Sequence, residues 1–192
     1  MQEETALEEE DYQEQEITFK LWHGTSKENA KMIIDNSEWK ETEDNDKPFF
    51  GNGVYFMKDN KNLACLWSSK VKKFDPSCVI LCFVKVKRKF VFDLAVDQCY
   101  KFYEKFASKL AKNFKLSSSI INAICESAEE KRLDIEPIKV VVGYYSLGLL
   151  NTNDNKISDE CTNKAVKVQV QIAVRDQSLI KIKRIENCEK GC

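Results

Sequence analysis

Residues 166–174 read Val-Lys-Val-Gln-Val-Gln-Ile-Ala-Val, an alternation that puts valines and isoleucine on one face and Lys167, Gln169, Gln171 and Ala173 on the other. An apolar residue at every second position marks a strand with one face in a core. Gln169 and Gln171 therefore share a face, roughly 7 Å apart. Working outward, Ile180-Lys181-Ile182-Lys183-Arg184-Ile185 predicts a closing strand, and Ile138-Lys139-Val140-Val141-Val142-Gly143-Tyr144, after Pro137, an earlier one.

Upstream, helical periodicity replaces alternation. Residues 95–114 predict a helix with Tyr100, Tyr103, Ala107, Leu110 and Phe114 on one side and Lys101, Lys105, Lys109 and Lys112 on another. Ser118 or Ser119 is expected to cap a further helix through Ile121, Ile124 and Ala128. Before them, Val79 to Lys87 is a long apolar strand. Ile17 to Trp22 is a strand running into His23-Gly24-Thr25, followed by a helix capped by Ser26. Gly51-Asn52-Gly53 precedes the short strand Val54-Tyr55-Phe56-Met57, and Asp59 is placed to cap a helix carrying Leu63, Ala64, Leu66 and Trp67. Two early strand–helix units, then strands with a helical insertion over 95–135, indicate an α+β domain, not a regular parallel series.

The 192 residues, 43% hydrophobic and 32% charged with net charge −1, describe one ordinary folded domain. No apolar run approaches the roughly 18 residues of a membrane span. Glu3, Glu4, Glu8, Glu9, Glu10, Asp11, Glu14 and Glu16 fall in residues 1–16, which hold no Lys or Arg. These residues are expected to be an acidic disordered tail, with the domain over 17–192. The remaining 23 acids face all 30 basic residues, so residues 17–192 carry about +7. The tail is then either a solvating arm or a shield for a basic surface of its own chain. An acidic opening, MQEETALEEE, is unlike a basic signal or transit peptide. Eight cysteines scattered through apolar stretches, with no C-x-x-C, are expected to be reduced thiols in a cytoplasmic setting. With His23 the sole histidine, no metal is expected.

The chain carries no P-loop, no G-x-S-x-G, no H-E-x-x-H and no complete dinucleotide glycine fingerprint. Three short constellations remain: His23-Gly24-Thr25 ending the first strand, Gly51-x-Gly53-Val54-Tyr55-Phe56 opening the second, and Gln169-x-Gln171 late in the chain. Singly, each is also what a structural histidine, core aromatics and a solvated strand face look like.

Together, in the segments LWHGTSKENAKMII, FFGNGVYFMKDNKNLACLW and QIAVRDQSLIKI, they resemble the ADP-ribosyltransferase superfamily. The branch is the one with a histidine, tyrosine and glutamate triad, which includes diphtheria-type toxins and poly(ADP-ribose) polymerases. The likeness spans about residues 17–185 and implies a split pair of antiparallel-rich sheets around an NAD cleft. It implies that His23 binds a ribose hydroxyl, Gly24 holds the nicotinamide carboxamide through its backbone, Thr25 adds a hydroxyl nearby, and Tyr55 stacks on the nicotinamide. Gln171 falls where active relatives carry the glutamate, and Gln169 where some place an acceptor-selecting residue. A second aromatic expected about eleven residues after Tyr55 is replaced by Leu66, with Trp67 beside it. Glu160 is an alternative acid, though it precedes the strand.

The implied activity is mono-ADP-ribosyl transfer from NAD to a protein acceptor, because the resemblance implies that polymer synthesis relies on the glutamate; an amide at position 171 also supplies no negative charge to a cationic transition state, which cuts against strong catalysis. A weak or inactive NAD- or ADP-ribose-binding module and an NAD glycohydrolase are the alternatives. Basic stretches at 70–73, 85–89 and 181–184 are of the kind that attracts nucleic acid or an acidic protein, but lysines alternating within strands are more often a solvated face, and with no aromatic-basic RNA-binding motif nucleic acid is the less favoured partner.

Overall fold

A computed structural model describes residues 11–39, 50–110, 117–146 and 168–188. Seven strands, β1 (Glu16–Ser26), β2 (Val54–Lys58), β3 (Ser77–Lys87), β4 (Val91–Asp93), β5 (Val140–Ser146), β6 (Val168–Val174) and β7 (Ile180–Asn187), form one sheet in the order β4-β5-β6-β2-β1-β3-β7. All neighbours are antiparallel except β4 and β5. The helices are α1 (Lys27–Asn36), α2 (Lys61–Leu66), α3 (Asp97–Leu110) and α4 (Ser118–Glu129), and α2 continues into a π-helical turn at Trp67–Val71. The chain is thus α+β. Among the described residues no helix is long and apolar enough to cross a membrane.

Local chemistry sets the element ends. Ser26 caps α1 by accepting from the Asn29 amide at 3.0 Å. The cap of α2 is Asn60 and not Asp59: its side-chain oxygen takes the Leu63 amide at 2.9 Å, while Asp59 turns the chain at φ 53°. Strand β4 was not expected, because three residues carry too little periodicity to read. It exists because β5 offers a parallel edge to Val91, Phe92 and Asp93.

One core fills the face of the sheet lined by Phe19, Leu21, Val54, Phe56, Ile80, Val84, Ile172 and Val174, with Ala30 and Ile33 of α1 against it. The opposite face carries two. Tyr103, Ala107, Ile121 and Ile124 of α3 and α4 pack on Val141 and Ala173, while Leu63, Ala64, Cys65 and Leu66 of α2 pack on Trp22, Met57, Val79 and Leu81. Each fully buried Val, Leu, Ile or Phe in such layers contributes about 1.5–3 kcal/mol.

Three expectations are corrected. The two separate sheets are one, because β1 and β2 do pair, though only at Leu21↔Lys58 and Trp22↔Met57. The cysteines are not all free: Cys65 on α2 and Cys188 after β7 form a disulfide, Cα–Cα 5.5 Å, across 123 residues. Periodicity carries no sign of this pairing, which arises because α2 packs beside the end of β7. Cys78, Cys82, Cys99 and Cys125 are free, and burial pushes Cys82 up to about 12 and Cys125 up to about 11. Lastly, residues 11–16 of the acidic tail are ordered. Residues 11–14 form a helical turn, Glu16 begins β1, and Glu14 and Glu16 pair with lysines of β3 and the turn after it.

Candidate functional site

The site is built where β1 and β2 part. Beyond Trp22↔Met57 the two strands stop pairing: His23 to Ser26 stay laddered to β3 alone, and Val54 to Phe56 to β6 alone. A wedge opens in the sheet, with an unladdered backbone edge on its β1 side. One side chain spans it, since the His23 Nδ1–H donates to the Tyr55 carbonyl at 2.8 Å. The ring packs edge-on against Trp39, centroids 5.3 Å apart, and against Phe56 at 5.5 Å. Burial holds its pKa below the ordinary value, opposed by the bond to Tyr55. His23 is therefore neutral, with its proton on Nδ1 and Nε2 left as an acceptor.

Gly24 follows on β1, directly under α2. A Cβ there would run into the Ala64 carbonyl and stand 3.1 Å from the Ser68 Cβ, so only glycine lets α2 lie this close. Thr25 is buried and pairs with Cys78.

Tyr55 points to the opposite side from the His23 ring. It shares a face with Ala173, its partner on β6, and packs on the α3–α4 core. Its hydroxyl accepts the Phe50 amide at 2.8 Å and donates to the Gly51 carbonyl at 2.6 Å. Burial raises its pKa, against the lowering influence of the Phe50 amide and the Arg175 charge. The loop it holds is clamped from outside. The Asn52 amide donates to Asn122 Oδ1 at 2.7 Å, Asn122 Nδ2 donates back to Asn52 Oδ1 at 3.0 Å, and Arg175 Nη1 reaches Asn122 Oδ1 at 3.1 Å. Gly51 adopts φ 79°, a left-handed conformation that favours glycine.

Gln169 and Gln171 share the Tyr55 face of β6, and both are buried, at 6% and 4% exposure. Gln171 is flanked by Met57 of β2 on one side and by Gly143 of β5 on the other. The Gln169 carbonyl oxygen accepts from Asn60 Nδ2 at 2.8 Å, whereas the Gln171 Oε1 is buried with no hydrogen-bond partner among the described residues. The Phe50 ring lies against Gly143, next to Gln171, where a Cβ on that glycine would stand.

Tyr55, Gln169 and Gln171 are thus brought to one face, and His23 and Gly24 to the wedge beside it. Trp67 is not joined to Tyr55. It packs partly buried with the α2 core, whereas Tyr55 packs with the α3–α4 core. Glu160 lies outside the described residues. Among those residues no three His, Cys, Asp or Glu side chains gather as a metal site requires. Phe50, Asn60, Asn122 and Arg175 went unread in the sequence, because their partners lie 5 to 109 positions away and none carries a periodic signal.

No protein-family model matches the chain, and no curated protein matches it in sequence.

Proposed function

We propose that the chain is a mono-ADP-ribosyltransferase that takes NAD as substrate, breaks its nicotinamide–ribose bond and passes ADP-ribose to a side chain of an acceptor protein. The observation that carries this reading is the buried, unpartnered Oε1 of Gln171, one strand away from a wedge whose β1 edge at Gly24 has no ladder partner. A buried amide oxygen without a partner is costly, and a sugar hydroxyl is the kind of donor that relieves it. An unladdered backbone edge, in turn, suits a carboxamide, which needs one donor and one acceptor. The order of the three motifs, and their arrival on adjacent strands, support the same assignment.

In this reading the backbone of Gly24 holds the carboxamide, Tyr55 walls the nicotinamide, and neutral His23 offers Nε2 as an acceptor to a ribose hydroxyl. Gln171 orients the other ribose as nicotinamide leaves and positive charge builds on the sugar. Gln169, fixed by Asn60, lines the acceptor side. An acceptor oxygen or nitrogen then bonds to the ribose carbon and releases its proton. Trp67 is left as a wall of the α2 core.

A second reading, an NAD- or ADP-ribose-binding module without turnover, is favoured by the amide at position 171. A charge there is worth on the order of 10²-fold in rate. Nicotinamide release from NAD, with and without a cell lysate, tests both readings beside Tyr55→Ala and Gln171→Glu. The transferase predicts lysate-dependent release with a labelled protein band, abolished in Tyr55→Ala and raised about 10²-fold in Gln171→Glu. Release without lysate identifies a glycohydrolase. Binding of ADP-ribose without release, lost in Tyr55→Ala, leaves the module. Neither binding nor release would end the family reading.

A further inference from the structure

Far along β1 and β3 from the wedge, the sheet ends in a run of cations: Lys85 and Lys87 on β3, then Arg88 and Lys89 in the turn to β4. All four are claimed by residues 11–16 of the acidic arm. Lys85 meets Glu16 at 2.6 Å, Lys87 and Lys89 meet the two oxygens of Glu14 at 2.7 and 2.6 Å, and Arg88 Nε donates to Gln15 Oε1 at 2.9 Å. The Arg88 guanidinium also lies 4.5 Å over the Tyr12 ring and donates to its hydroxyl. Glu14 at the end of the helical turn and Glu16 at the start of β1 thus meet lysines that stand at the roughly 7 Å repeat of the extended strand β3. Most of these partners are about half exposed, and contacts of that kind are individually weak and readily exchanged.

The strip is wider than its present occupant. Across the same sheet face, Lys20 and Lys181 flank Phe83, and among the described residues neither has an ion-pair partner. Beneath the arm, Tyr12 and Gln13 form the lip of a cavity of about 480 Å³ walled by Phe19, Val91, Phe102 and Ile138.

We propose that this strip is a docking surface for an acidic peptide segment of a partner protein, which residues 11–15 of the chain's own arm cover until that segment displaces them. The seated arm is itself an acidic segment, with Glu14 and Glu16 on the lysines and the Tyr12 ring on Arg88. The cavity beside it is mixed, with Lys58, Arg88 and Lys89 as well as Asp93 and Glu136 in its lining, and its apolar walls suit a hydrophobic side chain next to a carboxylate, a combination that an acidic peptide carries. Five further glutamates in residues 1–10 make the arm a competitor of matching charge.

The surface is independent of the reaction proposed above, and its test reads binding only. The full chain is compared with a full chain in which Glu3, Glu4, Glu8, Glu9, Glu10, Glu14 and Glu16 are all replaced by Gln. The probe is a fluorescein-labelled synthetic peptide with the sequence of residues 1–16, followed by anisotropy at low and high salt. Neutralising the arm should tighten binding about tenfold or more, and high salt should reverse the gain. Adding Lys85→Gln, Lys87→Gln and Lys89→Gln to the neutralised chain should abolish the gain with the melting temperature unchanged. The proposal is overturned if neutralisation brings no gain, if the lysine changes leave binding intact, or if a probe with Gln for every Glu binds equally well. A single-stranded oligonucleotide that binds more tightly than the peptide overturns it in favour of nucleic acid.

Discussion

His23 is neutral because its imidazole is enclosed by Trp39 and Phe56, and it is the sole histidine of the chain. The unfolded chain takes up its proton near the ordinary value of 6.5, whereas the folded chain resists until lower pH. The stabilisation is therefore complete above that value and falls away as pH drops from it toward the folded pKa. Urea unfolding between about pH 7.5 and about pH 5.5 should show stability falling by up to about 1.4 kcal/mol per unit, a slope that vanishes in His23→Phe. Tyr55 gives a second expectation. Tyr55→Phe keeps the ring but strands the Phe50 amide and the Gly51 carbonyl, at about 1–3 kcal/mol, measurable as a lowered urea midpoint. Local motifs named His23, Tyr55 and Gln171, but what each touches was not legible. The bond from His23 joins it to a backbone carbonyl 32 positions away, which no spacing rule encodes.

At the scale of elements, α2 depends on three things: an Asn60 cap, a glycine beneath it, and the disulfide from Cys65 to Cys188. Closing so long a loop restricts the unfolded chain, so Cys188→Ser should lower stability by about 2–4 kcal/mol, as should reduction of the unaltered protein. If reduction shifts the thermal midpoint of the unaltered chain but not of Cys188→Ser, the staple is this bond alone. The strands β6 and β7 were legible because alternation over six or more residues reports a half-buried face directly, and β3 and β5 because a run of β-branched and apolar residues reports a strand covered on both faces. Strand β4 and the π-helical turn were not, being too short for a period, and the cap shifted from Asp59 to Asn60 because the chain reverses at Asp59 first.

For the whole molecule, the contact between arm and body is electrostatic and open to solvent. Hydrogen bonds to Lys87 and Lys89 hold the Glu14 carboxyl down to about 2, from an ordinary 4.5. The contact is thus fully present above 4.5 and is lost as pH falls toward about 2. Carboxyl carbon NMR should place the Glu14 midpoint well below the ordinary 4.5, and Lys87→Gln with Lys89→Gln should return it to the ordinary range. Raising salt should move it the same way.

The sequence by itself determined the α+β class, most strands and helices, and the charge opposition between the first 16 residues and the rest, because each follows from composition or local period. It also singled out His23, Gly24, Tyr55, Gln169 and Gln171. Only the tertiary structure decided that one sheet, not two, carries them, that β1 and β2 part after Trp22↔Met57, and that Gln171 lies buried with an unpartnered oxygen. It alone joined Cys65 to Cys188 and seated Glu14 on Lys87 and Lys89. The physical reason is the same throughout: strand order, ladder length and cross-chain pairing are set by the packing of faces against one another, and residues far apart in sequence meet only once that packing is complete.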